Sequence, residues 1–120
     1  MDIFVGSLDT GATKIGLTKG SIQAAVESRM RSARLYNPDG LHYLYVNVHV
    51  VGGAFSSRLK LKKYVLDYAS DESYTAVTWE NAVTGTHGRD SSYILSSISE
   101  QMDQFLVEFL RVNEEACAKR

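Results

Sequence analysis

Leu41-His42-Tyr43-Leu44-Tyr45-Val46-Asn47-Val48-His49-Val50-Val51, followed at once by Gly52-Gly53, is the stretch that decides the fold. In an extended chain successive side chains point to opposite faces. Leu44, Val46, Val48 and Val50 therefore fall on one side, and Tyr43, Tyr45, Asn47 and His49 on the other. That period marks a half-buried strand, and the paired glycines after it are a hairpin signal. Residues 55–65 repeat the pattern: Phe55, Leu59, Leu61 and Val65 share one face, while Arg58, Lys60, Lys62 and Tyr64 share the other. After a polar loop over residues 67–73, residues 74–83 read as a third strand of this meander, with Val77 and Trp79 as its more apolar face. An antiparallel sheet with one apolar face needs a layer to cover it.

The flanking segments supply that layer. Upstream, Thr18 is a plausible N-cap, and Leu17 before it can staple to Ile22. Ile22, Val26, Met30 and Ala33 then form one stripe of a helix, with Gln23, Glu27, Arg31 and Arg34 on its other side. Asn37-Pro38-Asp39-Gly40 has the chemistry of a turn and is expected to stop this helix. Downstream, Asp90 can cap a helix whose Ile94, Ile98, Met102, Phe105, Phe109 and Val112 follow steps of four and three. Residues 3–8 read as a short first strand, and residues 9–17, rich in Gly and Thr, as a loop. The predicted order is β-α-β-β-β-α. It describes a single two-layer α+β domain over residues 1–120, one mostly antiparallel sheet with both helices on one face.

This order predicts which ends meet. A strand, a helix and a parallel strand form a right-handed crossover. With the first strand running up, both helices start at the upper edge of the sheet. Three Gly-containing segments are expected to converge there: residues 9–18, the Gly52-Gly53 turn, and Thr84-Gly85-Thr86-His87-Gly88.

Composition bounds the function. The 120 residues carry 13 Lys and Arg against 14 Asp and Glu, are 44% hydrophobic, and include one Pro and one Cys. Disorder, collagen-like and low-complexity readings fail on these values. A lone Cys117 makes neither an internal disulfide nor a multi-Cys zinc site. His42 and His49 point to opposite faces of one strand and His87 lies in a distant loop, so no metal site or cofactor is expected. No run approaches the roughly 18 apolar residues of a membrane span. The N-terminus has neither a basic n-region nor a long apolar h-region. The expected location is cytoplasmic, or periplasmic if an export leader has been omitted. The net charge of −1 conceals a split: nine Lys and Arg against four Asp and Glu up to Lys63, but four against ten from Tyr64 onward. Arg29, Arg31 and Arg34 on one helix are expected to lie near Glu100, Asp103 or Glu108 on the other.

Three motifs are weighed for chemistry. Leu8-Asp9-Thr10-Gly11-Ala12 resembles the active-site motif of retroviral-type aspartic proteases, in which two chains each give one carboxylate to a shared dyad. Those enzymes are almost all β and have no long helix after the motif, so this remains a remote alternative, and a turn leading to a capped helix is the plainer reading. Thr84-Gly85-Thr86-His87-Gly88-Arg89-Asp90 precedes a helix and can offer backbone N–H groups to an anion, with His87, Arg89 and Lys14 as ligand contacts. A plain strand-to-helix loop is favoured over that. The third feature is the open sheet face, where Tyr43, Tyr45 and His49 lie beside Arg58, Lys60 and Lys62. Aromatic and basic residues on an exposed sheet suit single-stranded nucleic acid, but the diagnostic aromatic-glycine motif is missing. A solvated face or a homodimer interface is the favoured reading of it.

Glu27-x-Arg29-x-Arg31, Tyr43-Leu44-Tyr45-Val46-Asn47-Val48, Thr78-Trp79, Thr84-Gly85-Thr86, Phe105-Leu106 and Leu110-Arg111-Val112-Asn113 form a set. Over about residues 17–113 the chain resembles a family of small bacterial proteins also met in environmental and mobile-element sequences. The resemblance implies no activity, because the family has none assigned. Similar proteins often carry an export leader, and the layout is reminiscent of small α+β domains in periplasmic assembly proteins. The expected function is a non-enzymatic interaction module acting as a homodimer, through the open face or an edge strand, with an unidentified protein partner as a further option. A nucleic-acid or anion binder is the alternative.

Overall fold

Strands β1 (Asp2–Val5), β2 (Tyr43–Val51), β3 (Ala54–Asp67) and β4 (Glu72–Thr86) form one sheet in the order β1-β2-β3-β4. The computed structural model describes residues 1–118, with side-chain surroundings up to Glu114. The Cys117 side chain, Lys119 and Arg120 lie outside what is described. β1 pairs in parallel with β2, as a crossover requires, and the other neighbours are antiparallel. Helices α1 (Thr10–Lys14), α2 (Lys19–Ser32) and α3 (Ser91–Ala118) complete an α+β fold.

The core lies between the sheet and the two long helices. Leu44, Val46, Val48 and Val50 of β2 are buried, as the alternation requires. Ile22, Val26 and Met30 of α2 and Ile94, Ile98, Met102 and Phe105 of α3 close over them. The stripes meet because residues three and four apart share a helix face. Gln101 is the polar member of this layer. Its side chain is buried and bonded to the Ser57 hydroxyl, to the Ser57 carbonyl at 3.1 Å and to Asn81 Oδ1 at 3.1 Å. These bonds set the position of α3 along β3 and β4.

The helix starts follow the predicted caps. Thr18 and Ser21 form a reciprocal capping box at α2, and Asp90 Oδ1 accepts from the Ser92 N–H at 3.0 Å at the start of α3. The expected pairing of the helices is present in one ion pair, Arg29 to Asp103 at 3.4 Å. Arg31 turns instead to Glu27 on its own helix and lies over the Tyr36 ring. The end of α2 differs from expectation. It stops at Ser32, before the Asn37-Pro38 turn, because Arg34 adopts a left-handed φ of 58°. The N–H groups of Arg34 and Leu35 then bond the carbonyls of Arg31 and Met30, a Schellman closure without glycine.

Three further corrections bear on the site. The expected loop over residues 9–17 contains α1, which Asp9 caps and Gly16, at φ 82°, ends. The first strand ends at Val5 rather than at residue 8, since the chain must leave the sheet for Asp9 to reach the end of β2. The polar loop before the last strand shrinks, because β3 and β4 stay paired as far as Asp67 and Glu72. A register shift at Leu61/Lys62 places Trp79 opposite Leu61 but Val77 opposite Lys62. The extra residue, Thr78, breaks the alternation. Val77 and Trp79 therefore lie on opposite faces, not on one. Trp79 packs against Phe105 on the helix side, while Val77 is 44% exposed on the open side.

Candidate functional site

The upper edge is built around Asp9. Its Oδ1 accepts from the Ala12 N–H at 3.0 Å and so caps α1. Its Oδ2 accepts from the Val50 N–H at 2.9 Å. Gly11 follows because the chain runs against β2 there: a Cβ on it would lie 2.3 Å from the Val50 carbonyl oxygen. Partial burial pushes the Asp9 carboxyl up, but the N–H donors of Val50 and Ala12 and the nearby His49 ring outweigh it and hold it below the usual carboxylate range. His49 Nδ1 lies 3.7 Å from Asp9 Oδ2, and its Nε2 is 3.1 Å from the Asn47 side-chain nitrogen. The Asp-Thr-Gly motif thus has both carboxylate oxygens committed to backbone N–H groups within its own chain.

The second segment of that edge is held by His87. The residue is buried; its Nδ1 accepts from the Arg89 N–H at 2.8 Å, and its Nε2 lies 2.7 Å from the Gly52 carbonyl. Nε2 therefore carries the proton and donates it. The His87 N–H also bonds the Gly53 carbonyl at 3.1 Å. Both ring nitrogens thus serve to clamp the β2–β3 turn to the start of α3. Arg89 is exposed at φ 61° and lines a shallow hollow with Gly52, Gly53, His87 and Gly88. Lys14, in the last turn of α1, is exposed and is not part of that hollow. The three Gly-containing segments do converge, but in two separate contacts, Asp9 on Val50 and His87 on the Gly52-Gly53 turn.

The open face gathers more of the sequence-derived residues. Cross-strand pairing puts Tyr43 opposite Lys62, Tyr45 opposite Lys60, Asn47 opposite Arg58 and His49 opposite Ser56. Lys62 Nζ lies 5.2 Å from the Tyr45 ring centre and 5.8 Å from that of Tyr43. Arg58 pairs with Glu80 of β4 at 3.2 Å. The residue that sequence reasoning missed is Phe4. It is 56% exposed and stacks on Tyr45, with ring centres 5.4 Å apart and planes at 15°. Its signal was the alternation of β1, Ile3 inward and Phe4 outward, once β1 lies alongside β2. Asp2, Phe4, Tyr43, Tyr45 and Lys62 line a depression of about 320 Å³.

No protein-family model matches the chain, and no curated protein matches it. Among the described residues, no three His, Cys, Asp or Glu side chains come together as a metal site, and no helix is long and apolar enough to cross a membrane.

Proposed function

We propose that this chain is a non-enzymatic interaction module that works as a homodimer, joined by antiparallel pairing of β4 with β4 of a second copy. The observation that carries this reading is the margin of β4: 15 residues at the sheet edge with no Pro, Lys or Arg along them. Edge strands that stay unpaired are usually blunted by such residues or by bulges, or kept short; the bulge at Thr78 leaves residues 79–86 as a regular run at the margin. The opposite edge, β1, has four residues.

The backbone supports the same reading. Gly52, at φ 58°, occupies the first central position of a two-residue turn, the requirement of a type II′ hairpin. Val51 and Ala54 are then a hydrogen-bonded pair, and the alternation of antiparallel ladders leaves Ala54 and Thr86 unbonded. The N–H groups of Glu80, Ala82, Thr84 and Thr86 consequently point away from β3, toward the open margin. Two such edges related by a twofold axis complete each other, and β4 itself carries two charges, Glu72 near the hairpin end and Glu80, which is paired with Arg58 of β3. An unidentified protein partner adding a strand would use the same margin.

Light scattering tests it. The unaltered chain is expected to run as a dimer. Ala82→Pro removes an outward donor while sparing the β3 ladder, and shifts the chain toward monomer. A monomer for the unaltered chain at its highest soluble concentration overturns the proposal, as does a dimer indifferent to Ala82→Pro.

A further inference from the structure

We infer that the open face of the sheet is a binding site for single-stranded nucleic acid, with Phe4, Tyr45 and Tyr43 as the stacking platform and Lys62, Lys60 and Arg58 as the phosphate contacts. The inference concerns a different surface from the β4 margin and does not depend on the dimer.

The aromatic part is already arranged for stacking. Phe4 and Tyr45 lie on adjacent strands with their rings stacked on one another, planes at 15°, so the face left for a base is the outer face of Phe4, which is on the outermost strand and more than half exposed. Tyr45 is flanked on the sheet by the stacked Phe4 ring and by Lys62 Nζ, 5.2 Å from its ring centre, and its hydroxyl lies 2.6 Å from where a Gly6 Cβ would be. A ring fixed in this way loses little freedom when a base settles on it, and every base offers a π-face to such a platform. A duplex keeps its bases stacked internally and cannot use it.

The charge is complementary. Lys62, Lys60 and Arg58 follow one another on the open side of β3 at steps of about 7 Å, twice the strand rise, a spacing suited to successive phosphates of an extended single strand. Opposing charges border this face at Asp2, at Asp9 beside His49, and at Glu80, which is engaged with Arg58 in an exposed pair. Exposed pairs are weak, so a phosphate can compete for Arg58. Lys60 faces Tyr45 across β2 and Glu80 across β4. A second copy is a poorer occupant, because a row of three cations facing its own image sets like charges together.

The test is a fluorescence-anisotropy titration of labelled oligo(dT) with the full chain. Saturable binding is expected, with the duplex of the same length much weaker. Two or three phosphate contacts give a slope of log affinity against log salt of about −1.4 to −2. Phe4→Ala and Tyr45→Ala each weaken binding by about tenfold or more, the scale of losing one stacked base. Lys60→Gln makes the slope shallower by about 0.7. Phe4 and Lys60 are solvated enough that their variants keep the test intact where Tyr45→Ala costs folding. Thr86→Pro, which removes another outward donor of the margin but pairs with Ala54 rather than with Arg58 or Lys60, leaves binding unchanged, which separates this result from the fate of the dimer. Flat titrations at low salt overturn the inference. So does equal affinity for polyphosphate, since that needs no rings. A Tyr45→Ala change that alters only the oligomeric state overturns it too, and assigns the face to a second copy.

Discussion

The Asp9 carboxylate accepts a hydrogen bond from the Val50 backbone N–H at 2.9 Å, across 41 residues of chain. The same side chain caps α1. One residue thus fixes both the start of the crossover and its distance from the end of β2. This is a structural assignment for the most enzyme-like motif in the sequence.

Asp9→Ala should therefore destabilise the fold by about 2–3 kcal/mol. A lost N-cap costs about 0.5–2 kcal/mol, and an orphaned partly buried N–H at Val50 adds about 1–3 kcal/mol where water cannot reach it. Asp9→Asn keeps one acceptor oxygen and should cost less. Urea unfolding of both variants checks the order. Equal losses would mean that the second oxygen contributes nothing.

The pH dependence follows from the same bonds. The folded Asp9 carboxyl titrates below its unfolded value, so it contributes stability that is fully present above the unfolded value, near pH 4, and is lost as pH falls through the folded one. Wild-type stability should fall more steeply than that of Asp9→Asn below about pH 4. Denaturation curves measured from pH 6 downward compare the two slopes, and parallel curves would remove Asp9 from the acid response.

Two glycines separate close approach from backbone conformation. At Gly11 an added Cβ meets the Val50 carbonyl at 2.3 Å, so Gly11→Ala must push α1 off β2. A loss of about 1–3 kcal/mol is expected, as for other overpacking. At Gly52 a Cβ meets nothing within 4 Å, but φ is 58°. Gly52→Ala should cost only the left-handed penalty, about 1–2 kcal/mol. Gly52→Asn should recover part of that, since Asn tolerates this region, whereas Gly11→Asn should not. Thermal melts of the four variants read the contrast.

The period-two and period-3.6 patterns carried most of the fold, because burial decides them residue by residue: Leu44 to Val50 on β2, Ile22 to Met30 on α2, Ile94 to Phe105 on α3. What escaped was set by contacts between distant segments. The short α1 exists because Asp9 caps it and packs it on β2, and no local periodicity announces five residues. The split of Val77 from Trp79 depends on one extra residue in a ladder, which the alternation of β4 alone does not reveal. The left-handed Arg34 ends α2 where a glycine would have been the visible signal. For the open face, Tyr43, Tyr45 and Lys62 were legible from β2 and β3. Phe4 was not, because its partner Tyr45 lies 41 positions on and becomes its neighbour only through the parallel pairing.

The buried network at Gln101 gives the last prediction. Its amide is bonded to the Ser57 hydroxyl and carbonyl and to Asn81, all under α3. Gln101→Leu adds apolar volume of similar size but strands the Ser57 hydroxyl and the Asn81 oxygen, and should cost about 1–3 kcal/mol. Ser57→Ala alone strands one side of the amide and should cost less, because the Ser57 carbonyl and Asn81 still engage it. In the double variant Ser57→Ala/Gln101→Leu the two losses should fall short of adding, since each side chain's partner is already gone. The network also fixes where α3 sits, so the double variant should give up some uniqueness of packing along with its polar bonds. Denaturant titration supplies the coupling energy, and the double variant is expected to lose less than the sum of the single variants by about 0.5 kcal/mol or more. Strict additivity would show that Ser57 and Gln101 act on stability through separate neighbours rather than through each other.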